Sequence, residues 1–265
     1  MYLRAPVPWH NSKLMATHFM RHNLYIGNEI LRDIQDLYFS KYQNTMIIKI
    51  QDIGSLPVSA LEVIPKVNSL CDKATNILIK EWLADVAEIF LEKKHAWSFL
   101  IQKHYNASTA LVEKYFSSVN TLLSKQLRMI VMRTLIHIRD FFMAYEDGNY
   151  FDGDYRDLLF FKIPFVTVMV EPVFGTQHLY CKPSILEVRT ILSQCFDKII
   201  TVGTLIPRIE SILFPELEKM ECLFSVSRHE QSVLKIINDV LNVISSHEIG
   251  PQIYLKCYKN LLYIL

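Results

Sequence analysis

Apolar residues recur at intervals of three and four along much of the chain, which is the spacing of one face of an α-helix. The clearest case is Val112–Phe142, where no proline or glycine interrupts the pattern. A second apolar row lies beside the first and predicts burial between several helices. The first row is Val112, Phe116, Val119, Leu123, Leu127, Val131, Leu135, Ile138 and Phe142; the second includes Leu111, Tyr115, Leu122, Met129 and Ile136.

Three further helix starts are indicated by capping-box spacing. In a capping box, a Ser hydroxyl accepts from an early backbone N–H, and a Glu three residues later reaches back to the cap N–H. The first of these helices is predicted to run to about Asn106, with Pro65 as an alternative first-turn position. The pairs are Ser59 with Glu62, Ser184 with Glu187, and Ser227 with Glu230.

Two regions have the β-branched and aromatic character of strands. Thr45–Ile53 predicts one strand, followed by a turn over residues 54–57. Phe161–Val170 and His178–Cys181 flank a turn signal at Glu171–Thr176, and together they predict a β-hairpin inserted between helices.

These elements predict a mainly α protein, namely an elongated helical bundle with a small β-hairpin insert. The last residues, Tyr254–Leu265, are apolar and end without a cap, which predicts that the chain is a fragment of a larger protein. The predicted segments are an irregular lead-in with a short helix and strand (1–58), a long-helix bundle (59–146), a loop with the hairpin (147–183), and a second helical bundle truncated at the C-terminus (184–265).

Composition adds that the chain can bury a substantial core, because 51% of its residues are hydrophobic and 21% are charged. Only 7 residues are glycine, which favours long helices over a loop-rich fold. Lys and Arg number 28 against 27 Asp and Glu, which removes the usual electrostatic reason to expect a nucleic-acid partner.

A membrane or secretory location is not predicted. The N-terminal 20 residues lack a continuous apolar segment, so they do not form a secretory signal. The most apolar stretch, Leu158–Val170, contains Lys162 and Pro164 and is shorter than the roughly 20 residues that a membrane helix needs. We therefore expect a soluble, cytosolic protein.

No catalytic, cofactor-binding or metal site is predicted. The sequence lacks GxxxxGK[ST], GxGxxG and GxSxG, the motifs of phosphate loops, dinucleotide folds and nucleophile elbows. His18 and His22, with His10 nearby, lack the third and fourth ligands that zinc requires, so surface histidines are favoured. His229-Glu230 begins like a zinc-protease motif, but Val233 stands where the second His is needed.

Two other groups of residues are candidates for a metal site or for reactive thiols. The acidic residues near position 150 favour a solvated loop over a calcium site, because the spacing of oxygen ligands is interrupted by Phe151 and Arg156. The five cysteines form no CxxC pair and predict reduced, mostly buried thiols, with Cys195 and Cys257 in apolar surroundings. The acidic residues are Asp147, Asp152, Asp154 and Asp157, and the other cysteines are Cys71, Cys181 and Cys222.

Parts of the chain resemble the N-terminal tail of axonemal dynein heavy chains of the inner-arm type. The resemblance covers roughly Val63–Leu265. The stretches that carry it are Val119–Phe142 around Gln126-Leu127-Arg128, then Ser184–Val188, Phe196–Ile200, Ile206–Glu210 and Leu213–Pro215.

The resemblance implies a non-catalytic segment that precedes the linker and the ATPase motor. Such a tail binds dynein intermediate, light intermediate and light chains, with actin- or centrin-type accessory chains as further candidates. It anchors the motor complex, and indirectly the doublet microtubule, for microtubule-based ciliary movement. The implied location is the cytoplasm and cytoskeleton, at the axoneme of a cilium.

Alternatives remain open from the residues alone. One alternative is a generic helical adaptor or scaffold that is unrelated to motors. A less favoured alternative is a hydrolase whose site lies at Asp152 and Asp154. Arg208 and Glu210 either fix a turn by local ion pairing or bind a partner. The aromatic residues that either anchor accessory chains or pack in the core are Trp82, Trp97 and Tyr105.

Overall fold

The computed structural model describes residues 27–93, 109–146, 165–172, 179–215 and 221–262. Most of these residues are helical and the strands are short, which confirms a mainly α fold with a small β insert. The helices are α1 (27–37), α2 (Ala60–Ile77), α3 (Leu83–Glu92), α4 (Thr109–Glu146), α5 (Ile185–Val202), α6 (Ile209–Leu213) and α7 (Gln231–Leu262). The strands are β1 (Val58–Ser59), β2 (Val166–Thr167), β3 (Met169–Pro172) and β4 (Leu179–Lys182).

The chain divides into two compact units whose segments alternate along the sequence. In the first unit α3 packs with α6, and in the second unit α2 packs along α5. Each unit therefore combines segments that are distant in the sequence, whereas each predicted domain is one continuous segment. The boundaries of the predicted domains stay a prediction. The first unit takes its residues from Met1–Gln43, Ile79–Gln126 and Pro207–Glu221, and the second from Asn44–Leu78, Leu127–Ile206 and Cys222–Leu265.

The apolar row of α4 is buried as predicted, from Phe116 onward. The second predicted row is wrong in its C-terminal part, because Met129 is 41% exposed and Ile136 is 36% exposed. The positions buried beside the first row instead include three polar side chains, Asn120, Gln126 and Thr134. A pattern based only on apolar residues misses these positions, because a buried polar side chain needs a specific partner that the sequence does not show.

The helix that follows Ser59 begins at Ala60, so Pro65 lies inside α2 and not at its start. Ser59 is the N-cap residue, but its side chain makes no capping hydrogen bond, and the first predicted capping box is therefore not formed. Helical residues continue past α2 through a π-helical turn, Leu78–Trp82, into α3. Because α3 ends at Glu92, the rest of the predicted helix falls outside the described residues.

The predicted antiparallel pair is present as β3 and β4, with Met169 opposite Lys182 and Pro172 opposite Leu179. Its first strand is displaced from the predicted one, because it begins at Met169 and extends to Pro172, into the predicted turn. A second pair was not predicted: β1 and β2 run parallel, with Val58 opposite Val166. Local sequence could not indicate this pair, because its two strands have two residues each and are more than 100 positions apart in the chain.

The predicted strand at Thr45–Ile53 is not formed. Ile50–Ile53 make a 3₁₀ turn, which Asp52 closes by accepting from the backbone N–H of Lys49 at 3.1 Å. The isoleucines of this segment are nevertheless buried, so its apolar character serves the core of the second unit. Gly54 follows at φ 129°, a conformation that other residues rarely adopt.

The capping box at the start of α5 is formed as predicted. The backbone N–H of Ser184 donates to Glu187 Oε2 at 2.7 Å, and the backbone N–H of Glu187 donates to Ser184 Oγ at 3.3 Å. The hydrogen bond from the Ser184 backbone, followed by that from its hydroxyl, holds the pKa of Glu187 below its usual value. Both groups face solvent, so this motif fixes where α5 begins without help from the core.

We expect Ser184→Ala to lower the free energy of unfolding by about 1 kcal/mol, because an early N–H of α5 loses its acceptor. Ser59→Ala is the matched control, since Ser59 is also an N-cap residue but makes no such bond. Urea denaturation followed by circular dichroism measures both effects. Equal losses for the two variants would contradict the assignment of the cap to Ser184 alone.

Candidate functional site

A hydrogen-bonded ion-pair network lies at the start of α6 in the first unit. Arg208 donates to Glu210 Oε1 at 3.0 Å and to Glu221 Oε2 at 2.7 Å. From α4, the Asn120 amide donates to Glu210 Oε2 at 2.7 Å, and its carbonyl accepts from the backbone N–H of Ile209 at 3.2 Å. Of the two roles considered for Arg208 and Glu210, the structure shows local ion pairing that fixes the turn.

A second ion pair connects α4 with the start of α7 inside the second unit. Arg128 and Glu230 pair in a two-pronged arrangement, with Nη1 donating to Oε2 at 2.7 Å and Nη2 donating to Oε1. Arg128 also donates to the backbone carbonyl of Ser225 at 3.4 Å. The hydrogen bond from Arg128 holds the pKa of Glu230 below its usual value.

The third predicted capping box is formed only in part. Glu230 directly precedes α7 and is bound by Arg128, and a hydrogen bond with the backbone of Ser227 also acts to lower its pKa. The Ser227 hydroxyl accepts instead from the backbone N–H of His229 at 3.3 Å. A charged partner outside the local sequence therefore adds to the local hydrogen bonds at this helix start.

One carboxylate in the first unit is shared by two donors. Asp85 Oδ2, on α3, accepts from Lys41 Nζ and from the Tyr42 hydroxyl, each at 2.6 Å. Burial, followed by the hydrogen bond to Asp85, raises the pKa of Tyr42 to about 12. Burial also acts to raise the pKa of Asp85, but the two hydrogen bonds outweigh it and hold that pKa below its usual value. The arrangement keeps the acid ionised and bound, which suits a structural tie rather than proton transfer.

The aromatic candidates divide between the core and the undescribed part of the chain. Trp82 is 0% exposed, so it packs in the core of the first unit and is not available as an anchor. Its indole N–H meets no acceptor among the described residues. Trp97 and Tyr105 lie outside the described residues.

The predicted burial of the cysteines is only partly right. Cys71 and Cys195 are buried, and burial raises their thiol pKa values to about 11 and about 12. Cys222 and Cys257 are exposed, and Cys181 is half-buried. Cys257 lies among apolar residues of the sequence but on an open helix face, because apolar neighbours do not by themselves determine which face is covered.

The remaining metal candidates mostly fall outside the described residues. These are the N-terminal histidines His10, His18 and His22, and the acidic residues Asp147, Asp152, Asp154 and Asp157. Within the ranges that the structure describes, no three His, Cys, Asp or Glu side chains are grouped to hold a metal ion. The helices in these ranges are also too short or too polar to cross a membrane.

The sequence did not predict an apolar cavity of about 340 Å³ in the second unit. Its polar lining residues are His247 and Glu248, on α7. One sequence signal points to it: Glu248 lies four residues after Ile244, in the helical phase of a buried stripe. The apolar lining comprises Phe142, Phe165, Val166, Val168, Ile185, Val188, Leu192, Val243, Ile244 and Pro251.

We expect the pair of Arg128 and Glu230 to show a coupling free energy of about 1 kcal/mol, because it is two-pronged and partly shielded from solvent. The exposed pair of Lys66 and Glu62 is the control and should couple by about 0.3 kcal/mol. Double-mutant cycles with alanine, measured by urea denaturation, give both values.

The pH dependence of that coupling has a defined sign. Since the pKa of Glu230 is lowered by folding, its stabilisation is complete above the unfolded value of about 4.5 and is lost as pH falls through the lower folded value. The measured coupling should therefore be present at pH 7 and absent once Glu230 is protonated. A coupling that persists unchanged in strong acid would contradict this assignment.

No family model matches the chain, but two similar proteins are dynein heavy chains. The chain is 28% identical over 284 residues to Dynein axonemal heavy chain 3 of Mus musculus, and the match covers 97% of the chain. It is 24% identical over 297 residues to Dynein axonemal heavy chain 3 of Homo sapiens, covering 99% of the chain.

The chain spans about 7% of the length of each of these relatives. The similarity extends over nearly all of the chain and recurs in two species, so it is not confined to one short motif. The chain is therefore homologous to axonemal dynein heavy chain 3.

Proposed function

We propose that the chain is a non-catalytic tail segment of an axonemal dynein heavy chain, placed before the linker and the motor. The observation that carries this proposal is its similarity, over 97% or more of its own length, to about 7% of Dynein axonemal heavy chain 3. In this role it binds dynein intermediate and light chains. It anchors the motor complex at the axoneme for microtubule-based ciliary movement.

The structural roles of the tail-like residues support the proposal. Gln126 and Leu127 are buried in α4, and Arg128 binds Glu230. Ile206 and Ile209, which flank the Pro-Arg pair, are both 0% exposed. The stretches that resemble dynein tails thus coincide with positions that determine the fold, as expected if the resemblance reflects a common helical architecture.

The charge balance supports recognition by shape and by directed contacts. With 28 basic and 27 acidic residues, the chain has little net charge to attract a partner over a long range. Binding to accessory chains would then depend on apolar side chains and on individual polar groups at the interface. The second unit offers such a combination in its cavity, which has an apolar lining with one acidic side chain.

We expect the purified chain to retain a dynein intermediate chain when the two are co-expressed, and to hydrolyse no ATP above the buffer background. Co-purification by size-exclusion chromatography and a phosphate-release assay measure these outcomes, with an active dynein motor as the positive control for ATP hydrolysis. ATP turnover at the rate of the motor, or no co-purification with any dynein accessory chain, would overturn the proposal.

A variant with a disrupted fold serves as the control for non-specific binding. Gly203 lies directly against Ser225 and Val131, so a larger side chain at this position cannot be accommodated without displacing them. Gly203→Val should therefore lose the accessory chain if binding requires the folded second unit. Equal retention by the wild type and by Gly203→Val would indicate non-specific adhesion and contradict the proposal.

A further inference from the structure

The cavity in the second unit is an open groove that follows α7. Its lining residues on this helix extend from Val243 to Pro251, about 12 Å of helix at 1.5 Å per residue. Its lining also includes Ile185, Val188 and Leu192 of α5, and Phe142, Phe165, Val166 and Val168. An apolar groove of this length matches an elongated, apolar occupant better than a compact polar one.

The residues that line the groove include a carboxylate with one oxygen that lacks a hydrogen-bond donor. Glu248 Oε1 is buried and accepts no hydrogen bond from any described residue. A buried acceptor without a donor is costly, and more so when it belongs to a charged group. A ligand that brings a positively charged donor to this oxygen would remove that cost.

We propose that this groove is a docking site for another polypeptide, whose amphipathic segment inserts aliphatic side chains and presents a Lys or Arg to Glu248. The carboxylate disfavours anionic amphiphiles such as fatty acids, because like charges would meet in an apolar setting. A peptide supplies both apolar side chains and a cation along one strand or helix face. The inference rests on the groove itself and does not require the chain to be a dynein tail.

The test begins with phage-displayed 12-residue peptides selected on the immobilised full chain. Selected peptides should carry clustered aliphatic residues with a Lys or Arg among them. Fluorescence polarisation then compares each labelled peptide on the wild type and on substituted chains, all checked for native circular dichroism.

Two substitutions probe the groove, and each has a matched control. Glu248→Gln should weaken binding about tenfold by removing the charge, whereas Asp239→Asn, on the same helix but outside the groove, should leave it within about twofold. Ile185→Lys places a repelling cation in the wall and should also weaken binding about tenfold or more. Its control is Leu186→Lys, at an adjacent side chain that is 73% exposed.

A double-mutant cycle between peptide and protein tests whether the basic residue of the peptide pairs with Glu248. Replacing the basic residue of the peptide with Gln should weaken binding to the wild type but change binding to Glu248→Gln by less than about twofold. Three results would overturn the proposal. The first is a selection that yields no binder, which would mean that the chain's own residues fill the groove. The others are peptides enriched in acidic residues, and peptides whose binding is unaffected by Glu248→Gln and Ile185→Lys.

Discussion

Three buried polar side chains on α4 provide hydrogen bonds to the backbone of other segments. The Asn120 carbonyl accepts from the N–H of Ile209, and the Gln126 amide donates to the carbonyl of Ile34 at 3.3 Å, both within the first unit. In the second unit, the Thr134 hydroxyl accepts from the N–H of Ile47 at 2.9 Å. The contacts to Ile209, at the start of α6, and to Ile47, in an irregular segment, satisfy buried N–H groups that regular secondary structure leaves unpaired, so these segments can be buried against α4.

Ion pairs complete this arrangement where charged side chains lie near the surface. Arg128 holds the start of α7 through Glu230, and Arg208 holds the turn before α6 through Glu210. These arginines lie in the stretches Val119–Phe142 and Ile206–Glu210, on which the resemblance to dynein heavy chains was based. The ion pairs that these arginines make lie within the fold. Residues that look functional in a sequence motif can therefore have a structural role.

In the groove beside α7, the carboxylate of Glu248 has one oxygen that no described residue satisfies. Elsewhere carboxylates such as Asp85 and Glu210 are bound by two donors. Glu248 has a buried oxygen without a donor, although its helix is otherwise packed by apolar side chains. A local departure from the pattern followed by its neighbours is where a scaffold without an evident reaction centre would be expected to bind something.

The sequence by itself determined the features that depend on neighbouring residues. The buried row of α4, the hairpin of β3 and β4, and the capping box of Ser184 all follow from spacings of two to four residues or from one turn signal. The tertiary structure alone decided that Glu230 pairs with Arg128, that Trp82 is buried, and that Glu248 faces a groove. These outcomes depend on contacts between distant segments, because the partner of a buried or charged side chain is set by packing in three dimensions and leaves no periodic trace in the chain.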